Sequence, residues 1–351
     1  MLVAKAFVVE RELRSRLRNH LDAFGAKAPD KMKHFPVFSV VIPTYNRAGF
    51  ILRTLESVWR QTYPHFEIIV VDNCSTDNTA TLLEPHIDAQ RIRFIKHDRN
   101  LERARSRNTG MSAATGDFVT LLDSDDLMYP TNLEDAAAFS QANPESRCFH
   151  NLFEFINRSH EVVYRPRFPN LHNQVKAIAQ GNFMACVGNF IHREIYTRYR
   201  FNTDPEIIGG EDWDFWLRVL ADYKVSRIPK INNGVLQHEG RSVNNQDINT
   251  MGKGLEKVRL NIVSDPHLAA VYGPYVKCIE ASSNIYLAIL ANGGGLHRLA
   301  LSHLFHAAER DPSVVMSRRF IKISQVAIVG LLRGQRTREV QNQVESISER
   351  P

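Results

Sequence analysis

Four short apolar runs, three of them each followed by a helical pattern, constrain this chain more than any other feature. The runs read FSVVIPT, FEIIVVD, IRFIKH and DFVTLLD, all between Phe35 and Leu122 or its neighbour. Between them stand GFILRTLESVWRQ, NTATLLEPHI and ERARSRNTGMSAAT. In the first of these, Ile51, Leu55, Val58 and Trp59 recur at the spacing of one helix face. Ser75 or Asp77 is positioned to cap the second helix, and Gly116 to end the third. Continuous apolar strands alternating with helices predict parallel pairing with both sheet faces covered. In such sheets ligands bind beyond the carboxyl ends of the strands, so the residues at those ends carry the functional reading.

Three of the strands end in polar residues. The first runs into PTYNR (Pro43 to Arg47), the second into DNCSTDN (Asp72 to Asn78), and the fourth into DSDD (Asp123 to Asp126). Asp72 suits a turn or helix cap as well as a ligand. Two acids two residues apart after a buried strand suit a hard divalent cation bound through oxygen, although a turn would use the same residues. Further on, GGEDWDFWLRVLADY joins a Gly-Gly turn to a helix whose first positions are Glu211 and Asp212. Carboxylates are favoured there by the helix dipole alone, which is the alternative to a chemical role.

The remaining chain reads as NLEDAAAFSQAN helix, RCFHNLFEFINR strand, a proline-bearing loop over about 160–173, and FMACVGNFIHR strand. VSRIP and GVLQHEGRS follow, and from about Met251 the pattern is helical. Forty-three per cent hydrophobic and 23% charged residues exclude a disordered chain. Four widely spaced cysteines without a CxxC pair exclude a disulfide scaffold and a cysteine zinc site. No apolar run approaches the roughly 18 residues of a spanning helix. Glu10, Arg11, Glu12 and Arg14 interrupt what a secretory signal would need as an apolar core.

The formal net charge is +6. Its distribution is more telling than its size. Arg318, Arg319, Lys322, Arg333, Arg336 and Arg338 surround the apolar stretch ISQVAIVGLL, with no acid from Pro312 to Arg338. Arg11, Arg14, Arg16 and Arg18 accompany Leu13, Leu17, Leu21 and Phe24 near the start. Both segments predict basic amphipathic helices, either solvated over core or set against an anionic membrane surface. The basic residues do not interleave with an aromatic platform, so no nucleic-acid partner is expected.

In order, SVVIPTYNR, SVWRQTYPHFEIIVVDNCSTDNT, RNTGMSAATGDFVTLLDSDD and GGEDWDFWLR resemble the family 2 glycosyltransferases of GT-A fold. The resemblance covers about Phe38 to Leu220 and implies an α/β, Rossmann-like, mostly parallel sheet flanked by helices. It also implies an inverting transfer from a nucleotide-sugar donor, usually a UDP-sugar, with Mn²⁺ or Mg²⁺ as cofactor. Pro43 and Tyr45 would lie near the base, and Asp72 and Asn73 would hold it. The Asn at 73, in place of an acid, weakens the inference to uracil. Asp123 and Asp125 match the DxD motif, with Asp123 expected near the ribose and Asp125 on the metal, Asp126 being the alternative ligand. Asp212 matches the acid expected to act as base, preceded by Glu211. His238 is expected on the metal or diphosphate, and Arg241 as a diphosphate clamp. Arg103, Arg105 and Arg107 read first as solvated surface, and Trp213 and Trp216 as core or as an acceptor platform.

The acceptor expected from the resemblance is a glycan or lipid-linked oligosaccharide of the cell envelope, with the protein cytoplasmic and peripheral at the cytoplasmic membrane face. A nucleotidyltransferase would need a Gly-rich, basic loop after the first strand, where PTYNRAGF has one Gly. A catalytically inactive sugar-binding protein would not need Asp123, Asp125 and Asp212 together. The expected organisation is a helical extension at 1–34, a transferase domain at 35–250 and a helical region at 251–351.

Overall fold

The computed structural model describes residues 15–16, 35–241 and 247–348, with side chains of the last helix followed to Arg333. The extension expected at 1–34 lies outside the described residues, apart from 15–16. The described residues divide into two compact units. One holds those up to Gln174 together with Asn182–Thr203 and Glu211–His238; the other holds Val175–Gly181, Asp204–Gly210 and those from Glu239 onwards.

The first unit is built on one nine-stranded sheet. Its strands are β1 (Phe38–Thr44), β2 (Phe66–Asp72), β3 (Arg93–Lys96), β4 (Phe118–Leu121), β5 (Leu127–Met128), β6 (Cys148–Ile156), β7 (Val162–Tyr164), β8 (Asn189–His192) and β9 (Val225–Leu236). The order is β3-β2-β1-β4-β8-β6-β9-β5, with β7 beside β6. The four strands read first pair in parallel, as their apolar runs predict. Beyond β4 the sheet is mixed: β8 runs antiparallel to both β4 and β6, whereas β6 and β9 are parallel. The α/β architecture is therefore as expected, with its parallel half confined to the strands that end in the polar motifs.

The helices of this unit are α1 (Ile51–Trp59), α2 (Thr79–Asp88), α3 (Glu102–Ala113), α4 (Asn132–Ala142), α5 (Gln174–Ala179, which runs into the other unit), α6 (Arg193–Tyr196) and α7 (Glu211–Asp222). Ile51, Leu55 and Val58 of α1, with Leu133 and Ala136–Phe139 of α4, bury against alternate residues of β1 and β2 such as Phe38, Val40, Ile42, Ile68 and Val70. Period-two alternation puts Val41 on the other face. There α3 lies so close that a Cβ on Gly110 would sit 2.2 Å from Val41 Cγ1. This close packing fixes the position of the arginines that α3 carries.

Three local expectations differ from the structure. Gly116 does not end α3, which stops at Ala113; it lies where a Cβ would be 2.7 Å from the Val37 carbonyl oxygen, so close backbone approach is its role. The strand expected over FMACVGNFIHR forms only at β8, because Gly188 takes φ +71° and turns the preceding residues out of the sheet. Neither Ser75 nor Asp77 holds the N-cap position of α2, which is Asn78 and makes no side-chain cap bond; Asp77 Oδ1 still accepts the Thr79 N–H at 3.0 Å, while Ser75 bonds to Asp72.

A buried amide triad locks the mixed half. Asn132 of α4 donates to Asn233 of β9 at 2.7 Å, Asn233 donates to Asn151 of β6 at 2.6 Å, and Asn151 returns the bond to Asn132 at 2.9 Å. Each side chain satisfies its neighbour, which buried polar groups require. The second unit is helical: α8 (Ile248–Ser264), α9 (Pro266–Tyr272), α10 (Val276–Gly293), α11 (His297–Arg310) and α12 (Arg318–Ser348). Ala281, Ile285 and Ala288 of α10, Leu304 of α11, and Ile323 and Ala327 of α12 form its core.

Candidate active site

The carboxyl ends of β1, β2 and β4 converge as their register requires, Thr44 lying opposite Asp72. Pro43 is buried in β1, and Tyr45 just beyond it is exposed. Asp72 is fully buried; its Oδ1 accepts from the Ser75 N–H at 3.0 Å and hydroxyl at 2.5 Å. Its Oδ2, and the Thr44 hydroxyl beside it, are buried and have no hydrogen-bond partner among the described residues. An unpaired buried carboxylate oxygen costs free energy unless a ligand donor completes it. Thr44 was not singled out from sequence; its register opposite Asp72 is the signal that could have found it.

Asn73 is placed differently from the expectation that it faces a base. Its Nδ2 donates to Asn100 at 2.7 Å, and its Oδ1 accepts the Leu101 N–H at 2.9 Å and lies 3.1 Å from His97 Nδ1. The amide thus ties the loop before α3 to the end of β2. Asn46 does the same between the first two strand ends: at φ +51° its Oδ1 accepts the Thr76 N–H at 2.8 Å.

At the end of β4 the acids diverge. Asp125 Oδ2 lies 3.1 Å from His238 Nε2 and 3.3 Å from Arg47 Nε. His238 is buried and stacks on Phe50 with ring centroids 4.4 Å apart. Asp123 meets Arg107 Nη2 at 3.1 Å. Asp126 turns inward, where its Oδ1 accepts the Leu236 N–H of β9 at 2.9 Å. It therefore anchors the strand that leads to His238, and the alternative of Asp126 as a metal ligand does not fit its orientation.

Arg107 is 2% exposed and also lies 3.8 Å from Glu211, which Arg103 contacts at 2.8 Å. Burial alone would lower the Arg107 pKa, but Cys186, Asp123, Glu211 and Asp212 around it outweigh burial and raise it. The surface reading of the α3 arginines is thus corrected for Arg103 and Arg107. Their spacing of four residues put them on one helix face, and that face turns towards the acids. Cys186, buried in the loop before β8, joins this group unforeseen, its thiol pKa raised by burial and the neighbouring carboxylates.

Asp212, in the first turn of α7, is partly buried, and its carboxyl is pushed up to about 6. Burial is the main cause and the charge of Glu211 adds to it, while Arg107 and Arg103 oppose it. Asp214 is closed off in an ion pair with Arg218 at 2.7 Å. Trp213 and Trp216 are buried, so both belong to core packing. Arg241, expected at the diphosphate, is partly buried and belongs to the second unit.

Among the described residues no group of three or more His, Cys, Asp or Glu side chains is arranged to hold a metal. Asp125 and His238 nonetheless place an oxygen and a nitrogen donor side by side. The Asp125 carboxylate is the donor type that suits Mg²⁺ or Mn²⁺, and Mg²⁺ is commonly held by one or two carboxylates plus substrate phosphates and water.

Similarity to known proteins agrees with this layout. A protein of Rickettsia felis described as an uncharacterized glycosyltransferase is 28% identical over 268 residues, 74% of this chain and 42% of that protein. The putative teichuronic acid biosynthesis glycosyltransferase TuaG of Bacillus subtilis is 40% identical over 197 residues, 53% of this chain and 72% of TuaG. The chain thus spans under half of the first relative and most of the second. Among solved structures, S. aureus TarS 1–349 with UDP-GlcNAc has a TM-score of 0.56 at 18% identity, covering 84% of this chain and 92% of that one. The mannosyltransferase PcManGT of Pyrobaculum calidifontis, with GDP-Man and Mn²⁺, gives 0.56 at 16% identity over 94% and 97%. These two show a shared GT-A-like fold. The profile of Glycosyl transferase family 2 matches residues 39–215, half of the chain, and the protein belongs to that family.

Proposed function

We propose that this protein is an inverting glycosyltransferase that moves a sugar from a nucleotide-diphosphate donor, a UDP-sugar in the first instance, to a hydroxyl of a glycan or lipid-linked acceptor. The observation that carries the reading is Arg107: one buried guanidinium contacts Asp123 of DSDD and approaches Glu211, the neighbour of Asp212. A donor edge and a candidate base are thereby held in one electrostatic unit.

In this reading Asp72 accepts an N–H of the base at its unpartnered oxygen, between Pro43 and Tyr45, and Asp123 lies towards the ribose. Asn73 acts by holding the loop before α3. Asp125 and His238 would hold Mg²⁺ or Mn²⁺, which would stabilise the leaving diphosphate as a Lewis acid. Asp212 takes the proton of the acceptor hydroxyl as its oxygen bonds to the anomeric carbon. The bond from that carbon to the diphosphate oxygen breaks on the opposite face, and the electron pair leaves with the nucleotide. A carboxyl pKa near 6 suits a base that must be ionised yet proton-hungry near neutrality. The negative charge of Glu211 adds to that basicity, while Arg107 and Arg103 temper it.

The names of TuaG and TarS's bound UDP-GlcNAc support a cell-envelope polysaccharide setting and a uridine nucleotide. The Mn²⁺ of PcManGT supports a metal-dependent donor site. Among the described residues no helix is long and apolar enough to cross a membrane, and the proposed location is the cytoplasmic face, in peripheral contact. The test is nucleotide release from a panel of UDP- and GDP-sugars with and without Mn²⁺. Metal-dependent release with one donor class supports the reading; binding without turnover for every donor and acceptor would favour an inactive sugar-binding protein.

A further inference from the structure

The second unit carries most of the large apolar side chains that the described residues leave in water. They concentrate on and just before α12. Met316 is 85% exposed, and Ile321, Ile328 and Leu332 are 44%, 49% and 56% exposed. At 100° per residue, positions 321, 328 and 332 form one row. The row lies on the side of α12 opposite Ile323 and Ala327, which are buried in the helical core. Arg318, Lys322 and Arg333 are exposed and follow along one flank of the row. No acid occurs from Pro312 to Arg338.

We infer that this face of α12 is a docking surface for an anionic lipid bilayer. The apolar row would enter the headgroup boundary while the cations on its flank meet lipid phosphates, the arrangement that binds amphipathic helices in the plane of a membrane. A second copy of the chain is disfavoured as the occupant, because pairing the face with itself would oppose its cations with no acid nearby to offset them. A purely polyanionic partner would leave Ile321, Ile328 and Leu332 without an apolar phase. The inference rests on the proposed membrane setting for its meaning, but its geometry and its test are independent of catalysis.

The experiment is co-sedimentation of the full chain with vesicles of phosphatidylcholine alone and of phosphatidylcholine with 30 mol% phosphatidylglycerol. Binding is expected on the anionic vesicles, at least tenfold stronger than on neutral ones, and falling as salt screens the charges. Arg318→Glu with Lys322→Glu should reduce anionic binding by well over tenfold, since each cation near such a surface is worth about fivefold. Ile328→Ser with Leu332→Ser should reduce it at high salt as well. Nucleotide release with a water-soluble acceptor should be unchanged in both variants, which separates failure of docking from failure of the transferase reading. Equal partitioning onto both vesicle types, no binding to either, or wild-type binding by the charge-reversed variant would overturn the inference. So would a concentration-dependent dimer in light scattering that the Ile328→Ser, Leu332→Ser variant abolishes.

Discussion

His238 Nε2 and Asp125 Oδ2 lie 3.1 Å apart, although 113 residues separate them in the chain. Asp125 comes from the turn after β4, and His238 from the end of β9. Asp126, one residue on from Asp125, holds the Leu236 N–H and so fixes the strand that delivers the histidine. The acid that looks like a spare ligand in DSDD is what brings the second donor into place.

If that pair holds the divalent cation, His238→Ala should raise the Mn²⁺ concentration needed for half-maximal activity by tenfold or more. Asp125→Ala should abolish turnover while leaving the unfolding transition in place. Metal titration of nucleotide release, with thermal melts alongside, checks both. Unchanged metal dependence in both variants would remove the assignment.

Asp72→Asn should act on donor binding. It replaces the buried acceptor oxygen by an amide, and hydrogen bonds to charged groups are worth about 1.5–3 kcal/mol, or roughly 10- to 150-fold. The donor KM should rise on that scale with kcat little changed. A normal KM would mean that Asp72 serves only to hold Ser75.

Arg107→Met tests the electrostatic unit. Removing the buried guanidinium leaves Asp123 without its cation and Glu211 with Arg103 alone; breaking a fully buried pair costs about 3–5 kcal/mol, and solvent at the partly exposed Asp123 brings the expected loss to the lower end of that range. Chemical denaturation should show a loss of that order, with the unfolding midpoint recovering as pH falls and the carboxylates protonate. A loss below about 1 kcal/mol would show that Arg103 alone balances Glu211.

Gly188→Ala should be among the most damaging single-methyl changes. Gly188 has φ +71°, and a Cβ there would sit 2.2 Å from Asn151 Oδ1 and 2.5 Å from Asn233 Nδ2. Both backbone strain and a broken amide triad follow, which together should cost about 2–4 kcal/mol. A melting temperature equal to wild type would contradict this account of the turn.

The parallel half of the fold was legible because β1, β2 and β4 are continuous apolar runs, a pattern that pairing with both faces covered demands, while β3 is a short, partly exposed edge strand. β8 was expected too long, because apolar residues such as Phe183, Met184 and Val187 look the same in a strand and in a buried loop. The strand-end acids were legible as a group, and Asp72, Asp123 and Asp125 do stand at the ends of β2 and β4. Their counter-charges were not: Arg103 and Arg107 read as surface until Gly110 brought α3 against Val41. The fate of Asn73 depends on His97, Asn100 and Leu101, whose approach only the fold reveals.

The proposed transfer turns on Asp212 removing the acceptor proton. Its carboxyl is raised to about 6 by burial and by Glu211. Since the base works ionised, activity should climb as pH rises through about 6 and then level off. The decisive measurement is sugar transfer and donor binding by Asp212→Asn, each followed across that range. The account predicts near-normal donor affinity, a fall of roughly 10²-fold or more in transfer, and loss of the inflection near pH 6. Transfer at the wild-type rate with the inflection intact would contradict it, and Asp212 would then be no more than an acid at the start of α7.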